Sequence, residues 1–214
     1  MIAIFDWDGT LCDSIEHIVC SMQHAAVELA TEPPAAADIR DIVGLGLPEA
    51  MTRLFPALDE ELRNELSRAY SRHFSSPDRG PPLLFEGAVE TLERLRARGI
   101  ELAVATGKSR RGLDRVLGAL GLADFFEATR CADETRSKPH PQMVLEIMKA
   151  RGKCRDEVLV IGDSEFDLAM ARQAGVRSVG VSFGVHDSDR LAAYRPLAII
   201  DQLPQLLDLE VFAP

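Results

Sequence analysis

Asp6 and Asp8 stand one residue apart at the end of the apolar run Ile2-Ala3-Ile4-Phe5, with Gly9 and Thr10 directly after them. Side chains alternate along an extended strand, so both carboxylates point the same way while the chain stays extended, and Gly9 then frees the backbone to turn. Crowding two anions is costly. The cost is offset when a cation binds there or when the two groups have separate chemical duties, so the pair suggests a metal site or a nucleophile beside an acid. Taken alone, it reads more readily as a strand end with an Asp-Gly turn. Three later stretches change that balance: Thr106-Gly107-Lys108, Lys138-Pro139 and Gly162-Asp163-Ser164-Glu165-Phe166-Asp167. Each in isolation is a turn, a surface charge or a loop, but four such stretches at four strand ends form a set.

Together they supply three or four carboxylates, a lysine, a hydroxyl and several loop amides. Magnesium prefers oxygen ligands, keeps several waters and uses one or two carboxylates, so this inventory suits Mg2+, with Asp6 and Asp163 as the best direct ligands. A phosphate brings about −1.5 to −2 charge and would be repelled unless the metal and Lys138 offset the acids. Thr106 and the amide of Gly107 can donate hydrogen bonds to phosphoryl oxygens. Phosphate monoester hydrolysis needs accelerations up to about 10²¹-fold. A carboxylate nucleophile divides such a reaction into two easier displacements. The residues then give Asp6 as nucleophile, and Asp8 as the group that protonates the leaving oxygen and next takes a proton from water.

These groups need a scaffold that gathers strand ends. From Phe85 onward the pattern alternates helix and strand. Helices are expected over 87–98, 110–120, after Pro141 and over 167–174. Strands are expected over 100–105, near 126–130, and over 158–161, 178–181 and 197–200. The run Ile2 to Phe5 adds a first strand. This predicts an α/β fold with a doubly wound, Rossmann-like parallel sheet, whose ligands bind beyond the carboxyl ends of the strands. Between the first strand and Pro82 no strand signal occurs. Asp13 can cap a helix carrying Ile15, Ile18, Val19, Met22, Ala25, Ala26 and Leu29 at helical spacing, Pro33-Pro34 breaks it, and helical patterns follow around 48–55 and 59–75. The cluster Pro77-Asp78-Arg79-Gly80-Pro81-Pro82 reads as a linker closing an all-helical insertion of roughly seventy residues.

The chain has 214 residues and a formal net charge of −10, with acidic and basic residues interleaved, which argues against nucleic acid or an anionic membrane as partner. No run approaches the ~18 apolar residues of a membrane span, and the first residues lack a signal-peptide pattern, so a cytoplasmic location is expected. Cys12, Cys20, Cys131 and Cys154 show no metal-ligand spacing and are expected as free thiols, Cys12 as a small apolar filler. His17, His24, His73, His140 and His186 likewise read as surface or helix-packing residues, and Arg110-Arg111 as a solvated helix face. Arg53 or another basic residue of the insertion is a candidate for meeting a distal anion on the substrate.

The four stretches resemble the motifs of the haloacid dehalogenase superfamily in its aspartate-nucleophile phosphatase branch. Asp6 to Thr10 match the Asp-x-Asp-Gly-Thr motif, Thr106 the strand-ending Thr or Ser, Lys138 the motif lysine, and Gly162, Asp163 and Asp167 the Gly-Asp-x-x-x-Asp motif. The resemblance spans almost the whole chain. It implies that Asp6 is phosphorylated and that Asp8 is the acid/base and a magnesium ligand through its carbonyl. It makes Thr106 and Lys138 hold the phosphate, makes Asp163 a ligand, and has Asp167 support the metal or Lys138. It also implies a catalytic core of residues 1–13 and 83–214, with a helical cap over 14–82. Gly44-Leu45-Gly46-Leu47-Pro48 resembles a cap segment of phosphoglycolate-phosphatase-like members. Trp7 and the Thr-Gly-Lys form depart from the commonest pattern without removing a catalytic atom, and Trp7 is expected to pack in the core. The implied partner is a small phosphorylated metabolite, possible substrates being phosphoglycolate, other phosphorylated acids, sugar phosphates and nucleotides, acted on by a monomer or homodimer. A sugar-phosphate mutase and a non-catalytic phosphate-binding protein are the alternatives. A receiver domain is excluded by length.

Overall fold

The computed structural model describes residues 1–76 and 83–212, so the expected linker at 77–82 lies outside the described residues. Strands β1 (Ile2–Phe5), β2 (Glu101–Thr106), β3 (Ala128–Cys131), β4 (Val158–Gly162), β5 (Arg177–Val181) and β6 (Ala198–Ile200) form one six-stranded sheet in the order β3-β2-β1-β4-β5-β6. Every neighbouring pair is parallel. Strand order reverses at β1, which lies between β2 and β4 with Ile4 level with both Ala103 and Val160. A crevice therefore opens at the carboxyl end of β1.

The central strands are nearly all apolar because both of their faces are covered. Phe5, Leu102, Val104, Leu159, Ile161 and Val179 point into one core, against α5 (Ala88–Ala97), α6 (Arg110–Leu120) and the short helical turns after β6. The alternate residues Ile2, Ile4, Ala103, Val158 and Val160 pack on α7 (Gln142–Arg151) and α8 (Glu165–Ala174). Trp7 belongs to the first core, fully buried and edge-on to Phe126 with ring centroids 6.3 Å apart.

Between β1 and α5 the chain forms α1 (Ile15–Glu28), α2 (Ala36–Asp41), α3 (Leu47–Leu54) and α4 (Glu60–Phe74). These share an apolar centre of their own, in which Ile18, Met22 and Ala26 of α1 meet Ile39, Met51, Leu66 and Ala69. The chain leaves and re-enters the sheet layer side by side, with Asp13 N–H donating to Leu83 O and Phe85 N–H to Leu11 O.

The differences from the sequence expectations are local. Ser14, not Asp13, precedes α1, and its hydroxyl is directed to Asp8. Helix α2 was not anticipated, nor was the short α9 (Ser188–Ala192), because each buries a single side chain, Ile39 or Leu191, and so carries no period. Helix α8 starts two residues early because Asp167 Oδ2 accepts from both the amide and the hydroxyl of Ser164. No helix among the described residues is long and apolar enough to cross a membrane.

Candidate active site

The sheet brings the sequence-predicted residues to one point. Asp6 and Asp8 follow β1, Thr106 ends β2, Lys138 lies in the loop after β3, and Asp163 follows β4. Lys138 is fully buried, and its Nζ donates to Asp6 Oδ1 and to Asp167 Oδ1, each at 2.6 Å. Asp163 Oδ1 accepts from the Thr10 hydroxyl at 2.9 Å, and its Oδ2 accepts from the Val185 amide at 2.9 Å. The Asp6, Asp163 and Asp167 side chains each offer an oxygen within 4.8 Å of the others. The Asp8 carboxylate is engaged elsewhere: it accepts from Ser14 Oγ and lies 2.9 Å from Lys108 Nζ.

Close packing dictates local sequence here. Gly9 has φ of +82°, and a Cβ on it would sit 2.1 Å from Asp163 Oδ2, so only glycine lets the β1 loop pass the acid. Gly184 stands equally close on the other side, where a Cβ would lie 2.1 Å from that of Asp163. Gly184 and Val185 were not singled out from the sequence, since nothing in a short loop after a fifth strand marks an amide aimed at a distant carboxylate.

The electrostatics describe a site that wants positive charge. Burial raises the Asp6 pKa most, Lys138 opposes that, and Asp167 and Asp163 add to it, leaving Asp6 well above the ordinary carboxylate range. Burial, followed by Asp167, pushes Asp163 up to about 7. Burial works against the charge on Lys138, yet Asp167 and Asp6 hold its pKa above the usual lysine value. One cation among three carboxylates leaves repulsion uncompensated. Asp6 Oδ2 is buried and has no hydrogen-bond partner among the described residues. An oxygen in that state is satisfied by a metal ion or meets an electrophile, so the donor set, all oxygens, fits a hard divalent cation.

Asp6 and Asp8 line a cavity of about 640 Å³ with Gly107, Lys108, residues of α1, α3 and α4, and the segment joining α2 to α3. Thr106 is fully buried, its Oγ1 accepting from the Lys108 amide at 3.1 Å. The helical insertion closes directly over the strand ends. A Cβ at Gly107 would meet Leu45 O at 2.5 Å, and the Gly46 amide donates to Ser137 Oγ at 2.7 Å. Lys108, whose role the sequence left open, spans the two layers: its ammonium pairs with Asp8 and lies 4.4 Å from the centroid of the Phe74 ring on α4. Arg53 stacks on Phe166 and is absent from the cavity wall. Arg110 and Arg111, read together as a solvated face, part ways: Arg110 binds Asp114 and Glu134, while Arg111 lines the cavity. Cys12 is a free, buried thiol, pushed up to about 12 by burial and then by Asp8, so it stays protonated and fills space. His186, expected as a surface or helix-packing residue, is buried against the start of α8, with Nδ1 accepting from the Glu165 amide.

The sequence and fold have known relatives. The family described as haloacid dehalogenase-like hydrolase matches residues 3–181. A Dickeya dadantii protein named "Probable phosphatase IndB" is 35% identical over 211 residues, covering 96% of this chain and 91% of its own. An Agrobacterium fabrum protein named phosphoglycolate phosphatase is 32% identical over 210 residues, covering 96% and 90%. The crystal structure of a hydrolase from Pseudomonas syringae superposes with a TM-score of 0.87 at 27% identity, covering 97% of this chain and 96% of that one.

Proposed function

Since the chain belongs to the haloacid dehalogenase-like hydrolases, we propose that it is a magnesium-dependent phosphatase that hydrolyses a small phosphomonoester through a phosphorylated Asp6. The observation that carries this reading is the bare Asp6 Oδ2. Lys138 holds the other oxygen at 2.6 Å and so fixes the carboxylate, while Oδ2, without a partner among the described residues, belongs to a residue of the cavity wall. Asp6 Oδ2 attacks phosphorus and the bond from phosphorus to the ester oxygen breaks. Asp8 gives its proton to the departing oxygen, then takes one from a water that attacks the phosphorus of the acyl phosphate, returning free Asp6 and inorganic phosphate. Lys138 and the loop amides after β2 balance phosphoryl charge, and Thr106 shapes that loop. A magnesium ion, held by Asp6, Asp163 and the Asp8 carbonyl with Asp167 behind them, would supply the remaining positive charge. Residues 1–13 and 83–214 act as the catalytic core and 14–82 as a cap that excludes water.

The test is phosphate release from a panel of phosphomonoesters, phosphoglycolate among them, with magnesium and with chelator. Metal-dependent release is expected, and release from none of the panel would overturn the reading. Stability supplies a second check. Without metal, Asp163 keeps its proton up to about pH 7 in the folded chain, against an ordinary value of 3.8. The native state therefore binds more protons than the unfolded one between roughly pH 4 and 7, and stability falls as pH rises through that window. In chelator the Tm is expected to drop between pH 5 and pH 8, and saturating magnesium is expected to remove most of the drop, because the cation takes the proton's place. A chelator-treated Tm that does not fall with pH would contradict this.

A further inference from the structure

The cavity above Asp6 has two kinds of wall. Ile18, Met22, Ile42, Val43 and Leu47 make an apolar side, and Arg68 on α4 joins Arg111 and Arg115 on α6 to make a basic one. Among the described residues no carboxylate pairs with these three arginines, although neighbouring Arg72 is bound to Glu28 and Arg110 to Asp114 and Glu134. In a chain of net charge −10, an unpaired basic cluster is a local reversal of the field. Arg111 and Arg115 are also four residues apart on one helix, where like charges repel unless an anion lies between them. The space matters equally. A cavity of about 640 Å³ falls within the roughly 300–1,000 Å³ of pockets that enclose drug-sized ligands, and a two-carbon phosphorylated acid would leave most of its apolar wall unused.

We infer that the substrate is a phosphomonoester whose organic body is apolar and longer than a two-carbon acid, and which carries a second anionic group held by Arg68, Arg111 and Arg115. The inference rests on the phosphatase reading and narrows it. Phosphorus sits at Asp6, the apolar body lies along α1, the segment after α2 and the start of α3, and the distal anion reaches the arginines shared by the insertion and the core. Each methylene buried on the apolar wall tightens binding by about fourfold, and a charge-assisted contact at the far end adds about tenfold.

Four esters test this with the full chain and magnesium: phosphoglycolate, 6-phosphonooxyhexanoate, hexyl phosphate and hexane-1,6-diyl bisphosphate. The six-carbon acid or the bisphosphate is expected to exceed phosphoglycolate in kcat/KM by at least about tenfold, and whichever of the two is better identifies the distal anion as carboxylate or phosphate. Hexyl phosphate is expected to show a KM about tenfold above the better of them. Combining R68Q, R111Q and R115Q, all at exposed positions, is expected to bring that KM ratio close to one, whereas a merely structural effect would move both KM values together. Fastest turnover of phosphoglycolate, or a KM ratio unchanged by the triple variant, overturns the inference and leaves the phosphatase reading standing. Release from none of the four overturns both.

Discussion

Asp6→Asn is expected to lower phosphate release by at least about 10³-fold, the scale on which removal of a covalent nucleophile acts, while the protein remains folded. The carboxamide keeps the shape of the group, and its oxygen can still accept from Lys138, so the 2.6 Å contact has a replacement partner. The amide also removes one of the three crowded carboxylates, which ends the repulsion that Asp167 and Asp163 exert on Asp6. Tm in chelator is therefore expected to be unchanged or higher while activity disappears. This opposition separates a chemical role from a structural one. Activity within tenfold of native in Asp6→Asn would remove Asp6 from the reaction.

Lys138→Met acts in the other direction. Among the described residues, it withdraws the only ammonium bonded to Asp6 and Asp167, both almost fully buried. Breaking a buried ion pair from one side typically costs about 3–5 kcal/mol because the remaining charge has no partner. In a chain of this size that corresponds to a fall in Tm of roughly 10 °C, together with loss of activity as Asp6 loses its orientation. Adding Asp167→Asn to Lys138→Met is expected to restore part of the stability and none of the activity. A Lys138→Met protein with native Tm would show that the triad of Asp6, Lys138 and Asp167 is not under the strain the geometry implies.

The candidate catalytic residues Asp6, Asp8, Thr106 and Asp163 were legible because they lie at or just past the ends of apolar strands, and parallel topology brings those ends together whatever their distance in sequence, whereas Lys138 sits further along the loop after β3. Lys138 and Asp6 are 132 positions apart and still meet. The roles of Thr10 and Gly9 became clear only in three dimensions, where one donates to Asp163 and the other leaves it room. The cavity wall was the least legible part. Nothing in the sequence tells an arginine that lines a cavity from one bound to neighbouring acids, so Arg110 and Arg111 looked alike until their surroundings separated them. Helix α2 escaped for a related reason, since its single buried residue, Ile39, gives no period to read.

The most direct measurement of the central claim is chemical capture of the phosphorylated carboxylate. Protein quenched during turnover and treated with borohydride converts an aspartyl phosphate to homoserine, which peptide mass spectrometry locates. Homoserine at position 6, dependent on substrate and absent in Asp6→Asn, is the predicted result. Phosphate release with homoserine at position 8, at position 163, or at no position would contradict it.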